Sequence, residues 1–176
     1  MSASLFLSAG ALAAAALSFL SARFLARRGW VPDKPGARSS HKAPTPRTGG
    51  VAVMIGFILP ALFLSLIEPQ LSKFVALVFC AFALGFVDDV RPLPAAVKLL
   101  GQIAIAALFV YLFGAVEQIP APGSGALALG AAAPALTMFW IVAFMNAYNF
   151  MDGANGLAAT AAIFGIGVIG VDRVLK

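Results

Sequence analysis

A chain of 176 residues that is 61% hydrophobic and 11% charged, with a mean hydropathy of +0.97, excludes a soluble globular domain. Such a domain would carry about 25% charged residues, and no core this small hides so much apolar side chain from water. The net charge of +5 does not argue for nucleic acid, because Arg23, Arg27, Arg28, Lys34, Arg38, Lys42 and Arg47 crowd around the junction of the first two apolar runs, where they read as a membrane-topology signal.

The first apolar run covers about 5–25 and has no basic residue before it. A secretory signal carries its positive charge ahead of the run, so this one reads as a retained anchor with the N-terminus outside. Further runs fall near 50–67, 71–87, 97–113, 126–144 and 157–171. Several are nearer 15 than 20 residues, and Lys73 can snorkel to extend the third. The expectation is a single all-α, polytopic transmembrane bundle over 1–176 with about six spans, or five if the last run is re-entrant. The positive-inside rule puts loop 26–49 in the cytoplasm. Parity then brings 88–97 and 146–156 to that face and leaves 68–70 and 114–125 outside. Pro120, Pro122, Gly123 and Gly125 read as turn and linker residues, and Pro134 is expected to kink the fifth span. The Ala-rich stretches at 11–16 and 131–133 suit close helix packing. Cys80 is expected to be a small buried hydrophobe, with no second cysteine for a disulfide.

Three polar loops and one helix start carry residues able to do chemistry. Asp88 and Asp89 end the third run. Adjacent carboxylates at the mouth of a span need positive compensation, from a hard divalent cation such as Mg²⁺ or from Arg91 and Lys98. They also oppose the helix dipole, so they are not there for helix stability. Asn146, Asn149 and Asp152 recur every three residues and share a helical face, followed by Gly153 and Gly156. They suit a nucleotide, sugar or metal, or serve as ordinary capping. The segment from His41 to Gly50 includes Lys42, Thr45 and Arg47. It can gather backbone amides and positive charge around a phosphate, or simply touch lipid head groups. Lys98 and Gln102 share a face at the start of the fourth span; Lys98 neutralises the acids, reaches a phosphate, or, the ordinary reading, snorkels.

Pro44-Thr45-Pro46-Arg47-x-Gly49-Gly50, Gly85-x-x-Asp88-Asp89, Lys98-Leu99-x-x-Gln102 and Asn146-x-x-Asn149-x-x-Asp152-Gly153-x-x-Gly156 follow one another in this order. The series resembles the polyprenyl-phosphate N-acetylhexosamine-1-phosphate transferases, from His41 onward. Within that family the Pro-Thr-Pro-Arg form and Asn-Phe-Met-Asp-Gly-x-Asn-Gly resemble the O-antigen-initiating type. Asn155 stands where relatives often carry an Asp, which puts an acid role there in doubt.

The resemblance implies transfer of a sugar-1-phosphate from a UDP-sugar to undecaprenyl phosphate, with UMP leaving, on the cytoplasmic face of a bacterial inner membrane. It implies Asp88, Asp89 and Asp152 as the catalytic set, with Mg²⁺ (or Mn²⁺) at Asp88 and Asp152. It implies substrate contacts from His41, Thr45, Arg47, Lys98, Asn146, Asn149 and Asn155, and a homodimer as a possible assembly. Family members are expected to be about twice this long. Their later Gly-Asp-x-Gly-Ser segment and His- and Arg-rich loop are not matched by residues 157–176. The competing expectations are a peptidoglycan lipid I translocase, a transporter, and a truncated, non-catalytic membrane protein. Acids gathered at one face, with no inverted repeat, argue against the transporter.

Overall fold

The computed structural model describes residues 3–28, 32–33, 45–46, 49–121, 123 and 125–152. Five α-helices dominate: α1 (Ala3–Arg28), α2 (Gly49–Ile67), α3 (Gln70–Val90), α4 (Ala95–Phe113) and α5 (Ala133–Asp152). All five are long and apolar enough to cross a membrane. The chain is thus a multi-pass helical membrane protein. The sixth expected span, 157–171, lies outside the described residues.

The helices run longer than their apolar runs suggested, at 19 to 26 residues each. That length spans a bilayer core, which needs about 20 residues. Flanking polar and small residues continue the backbone pattern, so Asp88 and Asp89 belong to the last turn of α3.

The fifth span departs most from expectation. Residues 126–128 do not begin a helix but form a strand. β3 (Gln118–Ala121) and β4 (Gly125–Ala128) pair antiparallel, with Ile119 opposite Leu127. Gly123 and Gly125 take φ values of 79° and 80°, a left-handed backbone that favours glycine at this reversal. A single 3-10 turn (Gly130–Ala132) then leads into α5. Pro134 is therefore the second residue of α5, where its missing N–H has no intrahelical partner to lose, so it opens the helix instead of kinking it. At its other end α5 continues through Asp152, so the first part of the expected 146–156 connection is helix, in keeping with the three-residue spacing of Asn146, Asn149 and Asp152.

Consecutive helices pack against one another. The ring contact of Phe74 with Phe113 joins the start of α3 to the end of α4, so that pair is antiparallel. Glu68 and Pro69 alone separate α2 from α3, and residues 91–94 separate α3 from α4. Small residues set the close approaches, as expected where lipid removes the hydrophobic drive between helices. A Cβ on Gly56 of α2 would lie 2.5 Å from the Ala14 carbonyl oxygen of α1. Between α1 and α2, β1 (Pro32–Asp33) pairs with β2 (Thr45–Pro46), folding that connection back on itself.

Among the described residues few side chains are buried, and several of those are small: Ala52, Ala61, Ala106 and Ala133. Large apolar residues such as Tyr111, Phe139 and Leu100 point outward, the distribution of a protein whose solvent is hydrocarbon. Cys80 is exposed on α3, against expectation. In a bilayer an apolar run no longer implies an inward position.

Candidate functional site

The alternation of helices brings the C-terminal ends of α3 and α5 and the N-terminal end of α4 to one end of the bundle. The β3–β4 hairpin occupies the other. The polar residues singled out in α3, α4 and α5 thus share a face, as parity required.

The connection between α3 and α4 explains why an acid sits at a helix C-terminus. Arg91 N–H still closes α3 onto the Val87 carbonyl at 2.8 Å. The chain then turns within four residues, so Asp88 meets the start of α4, where the dipole is positive. Asp88 Oδ1 accepts the Leu93 N–H at 3.0 Å, and Asp88 Oδ2 pairs with Lys98 Nζ at 2.5 Å. Both side chains are about a fifth exposed, at 22% and 23%. Lys98 therefore compensates the acid and does not simply snorkel, which corrects the ordinary reading. Asp89 is exposed beside it.

One turn further along α4, Gln102 is 3% exposed. Its Nε2 donates to Asn146 Oδ1 of α5 at 3.4 Å, and Asn146 Nδ2 donates back to Gln102 Oε1 at 2.7 Å. Asn146 Nδ2 also donates to the Val142 carbonyl at 2.8 Å. This amide pair ties α4 to α5, and sequence reasoning missed it. The available signal was two carboxamides near the ends of neighbouring apolar runs, where interhelical amide contacts are common. Asn149 lies exposed three residues on, and Asp152 closes the helix. Thr45 lies in β2, while His41, Arg47 and Asn155 fall outside the described residues.

Asp88 and Asp89 offer hard oxygen donors, the type Mg²⁺ takes, and the Lys98 ammonium occupies one of those oxygens as a positive partner. The donor chemistry fits a divalent cation. No group of three or more His, Cys, Asp or Glu side chains gathers among the described residues.

These features define a helical membrane protein with a carboxylate–ammonium pair and a carboxamide pair near one end of its bundle. The model of glycosyl transferase family 4 matches residues 71–175, which contain all of the cluster just described. The chain is 33% identical over 141 residues to a probable undecaprenyl-phosphate N-acetylglucosaminyl 1-phosphate transferase of Bacillus subtilis (strain 168), covering 79% of this chain and 39% of that protein. It is 38% identical over 160 residues to a decaprenyl-phosphate N-acetylglucosaminephosphotransferase of Mycobacterium tuberculosis (strain ATCC 25618 / H37Rv), covering 84% and 38%. A phospho-N-acetylmuramoyl-pentapeptide-transferase of Listeria monocytogenes serotype 4b (strain F2365) is 31% identical over 146 residues, covering 74% and 45%. No solved structure matches. The chain belongs to glycosyl transferase family 4. It spans about two fifths of the length of the first two relatives.

Proposed function

We propose that this chain is part of a membrane transferase that moves an N-acetylhexosamine-type sugar-1-phosphate from a UDP-sugar to undecaprenyl phosphate. The observation that carries this reading is the Asp88–Lys98 pair at the polar end of the bundle, in a chain with relatives named as polyprenyl-phosphate N-acetylglucosamine-phosphate transferases. A site for two phosphorylated substrates needs carboxylates and cations side by side, the first to hold a metal and the second to hold phosphates.

In the proposed reaction a lipid phosphate oxygen attacks the phosphorus that bears the sugar. The bond from that phosphorus to the bridging oxygen breaks, and the electron pair leaves with UMP. No general base is needed, because a phosphate monoester with a second pKa near ~6 is already largely dianionic at neutral pH. Lys98 is placed to exchange its carboxylate for an incoming phosphate. Asn149 is exposed towards the same end and suits donor recognition. Asp88, with Asp152, would hold Mg²⁺ or Mn²⁺, which when bound neutralises phosphate charge. Arg47, Thr45 and His41 belong to the segment proposed to add phosphate contacts.

The active face is proposed to be cytoplasmic, in the bacterial inner membrane, because Arg27 and Arg28 in the last turn of α1 lie at the same end of the helix alternation as the site. The product is proposed to start an O-antigen or related envelope glycan, on the strength of the Pro44–Arg47 and Asn149–Gly156 sequences. The test supplies undecaprenyl phosphate with UDP-N-acetylglucosamine or UDP-MurNAc-pentapeptide to the gene product in nanodiscs and measures UMP release. Release with the simple UDP-sugar supports the proposal. Release with the pentapeptide donor alone makes the protein a translocase, the reading that the Listeria relative favours. No release with either donor overturns both.

A further inference from the structure

The carboxamide of Asn146 is committed to the protein itself. An amide NH₂ has two protons, and both are donated within the chain, to Gln102 Oε1 at 2.7 Å and to the Val142 carbonyl at 2.8 Å. Its Oδ1 faces Gln102 Nε2 at 3.4 Å. A side chain in that state has no N–H left to recognise a sugar or a phosphate. Gln102, in turn, is almost wholly buried and sits on the face of α4 that carries Lys98 one turn away.

We propose that Gln102 is a positioning residue that acts through Asn146, and that Asn146 belongs to the frame of the site and not to its substrate contacts. The reciprocal pair fixes the rotation of α5 about its own axis relative to α4. Asn149 follows Asn146 by three residues on α5, so that rotation decides whether it turns towards the Asp88–Lys98 end. Gln102 is 3% exposed, so loss of Asn146 leaves its amide without a partner, while Asn146, exposed at the end of α5, loses the contact that ties its helix to α4.

This inference rests on the transferase reading, and two readouts separate them. The gene product in nanodiscs is assayed with undecaprenyl phosphate and UDP-N-acetylglucosamine as Gln102→Leu, Asn146→Leu, the double variant and the swap Gln102→Asn/Asn146→Gln. Each single change is expected to lower kcat by about 10- to 100-fold, the scale of a reacting group displaced by an ångström, with the donor KM held. The double variant is expected to lose no more than the worse single, because both remove one contact, and the swap to recover most of the lost kcat. A donor KM that rises for Asn146→Leu and not for Gln102→Leu overturns the proposal, as do additive losses or a swap no better than the singles. Thermal unfolding of the same set is the second readout. If the unsubstituted protein transfers nothing, the functional reading falls. The pair is then judged on unfolding, where coupled losses support it and additive losses overturn it.

Discussion

Gly56→Ala tests the close approach of α1 and α2 against a built-in control. A Cβ at position 56 would meet the Ala14 carbonyl oxygen at 2.5 Å, and real Cβ atoms essentially never come within 3.0 Å of a neighbour. That oxygen belongs to helix backbone, so α1 itself must retreat by 0.5 Å or more, the difference between those distances. Overpacking of this kind costs about 1–3 kcal/mol. Alanine's helix advantage over glycine, about 0.5–1 kcal/mol, offsets part of it. A net loss of about 1–2 kcal/mol lowers the unfolding midpoint by roughly 2–8 °C for a chain of this size. Gly101→Ala is the control: its Cβ would meet Leu84 Cδ1 and Cδ2 at 2.9 Å, the far end of a side chain that can swing aside. Its expected change is within about 1 kcal/mol. Intrinsic tryptophan fluorescence during heating in detergent reads both. A Gly56→Ala variant as stable as Gly101→Ala would refute the claim that backbone contact sets this crossing.

Asp88→Asn is expected to abolish UMP release while the protein still inserts and extracts normally, measured by turnover and by monodispersity in detergent. Retained turnover would remove Asp88 from the metal site. Lys98→Ala is expected to lower stability by about 1–3 kcal/mol, between the values for exposed and buried pairs, since both side chains are about a fifth exposed. The Asp88→Ala/Lys98→Ala double variant should be more stable than Lys98→Ala, and a double variant that is less stable argues against a compensating pair. Thr137→Val removes the hydroxyl that accepts the Val116 N–H at 2.9 Å and donates to the Ala133 carbonyl at 2.8 Å. The cost is expected to be about 1–3 kcal/mol, with faster amide exchange at Val116 and unchanged UMP release. Unchanged exchange would show that the Val116 amide is held by another partner than Thr137.

Membrane class, helix order and the shared face of the acids were legible because hydropathy and parity are properties of the sequence itself. Boundaries were less so. Residues 126–128 are apolar, yet glycine at 123, 125 and 130 bends them into a hairpin, a local backbone preference that no hydropathy window sees. Cys80 was misplaced because apolar composition means burial in water and says nothing of direction in lipid. Within the site, Asp88 and Lys98 were each visible as charges at span ends, but their pairing depends on how tightly residues 91–94 turn. Gln102 and Asn146 are 44 residues apart, and only the packing of α4 on α5 makes them neighbours.

The separations of those two contacts along the chain also set a schedule for biogenesis. Asp88 and Lys98 are ten residues apart across one turn, so their pair can close as soon as the first turn of α4 has been synthesised. Gln102 must wait for Asn146. At about 5–20 residues per second, a ribosome takes roughly 2–9 s to make the intervening stretch. During that interval the α3–α4 hairpin already carries its neutralised charges, while a buried-type amide on α4 has no permanent partner. Whatever shelters the nascent helix then, whether the insertion machinery or lipid head groups, must accommodate Gln102 until α5 arrives.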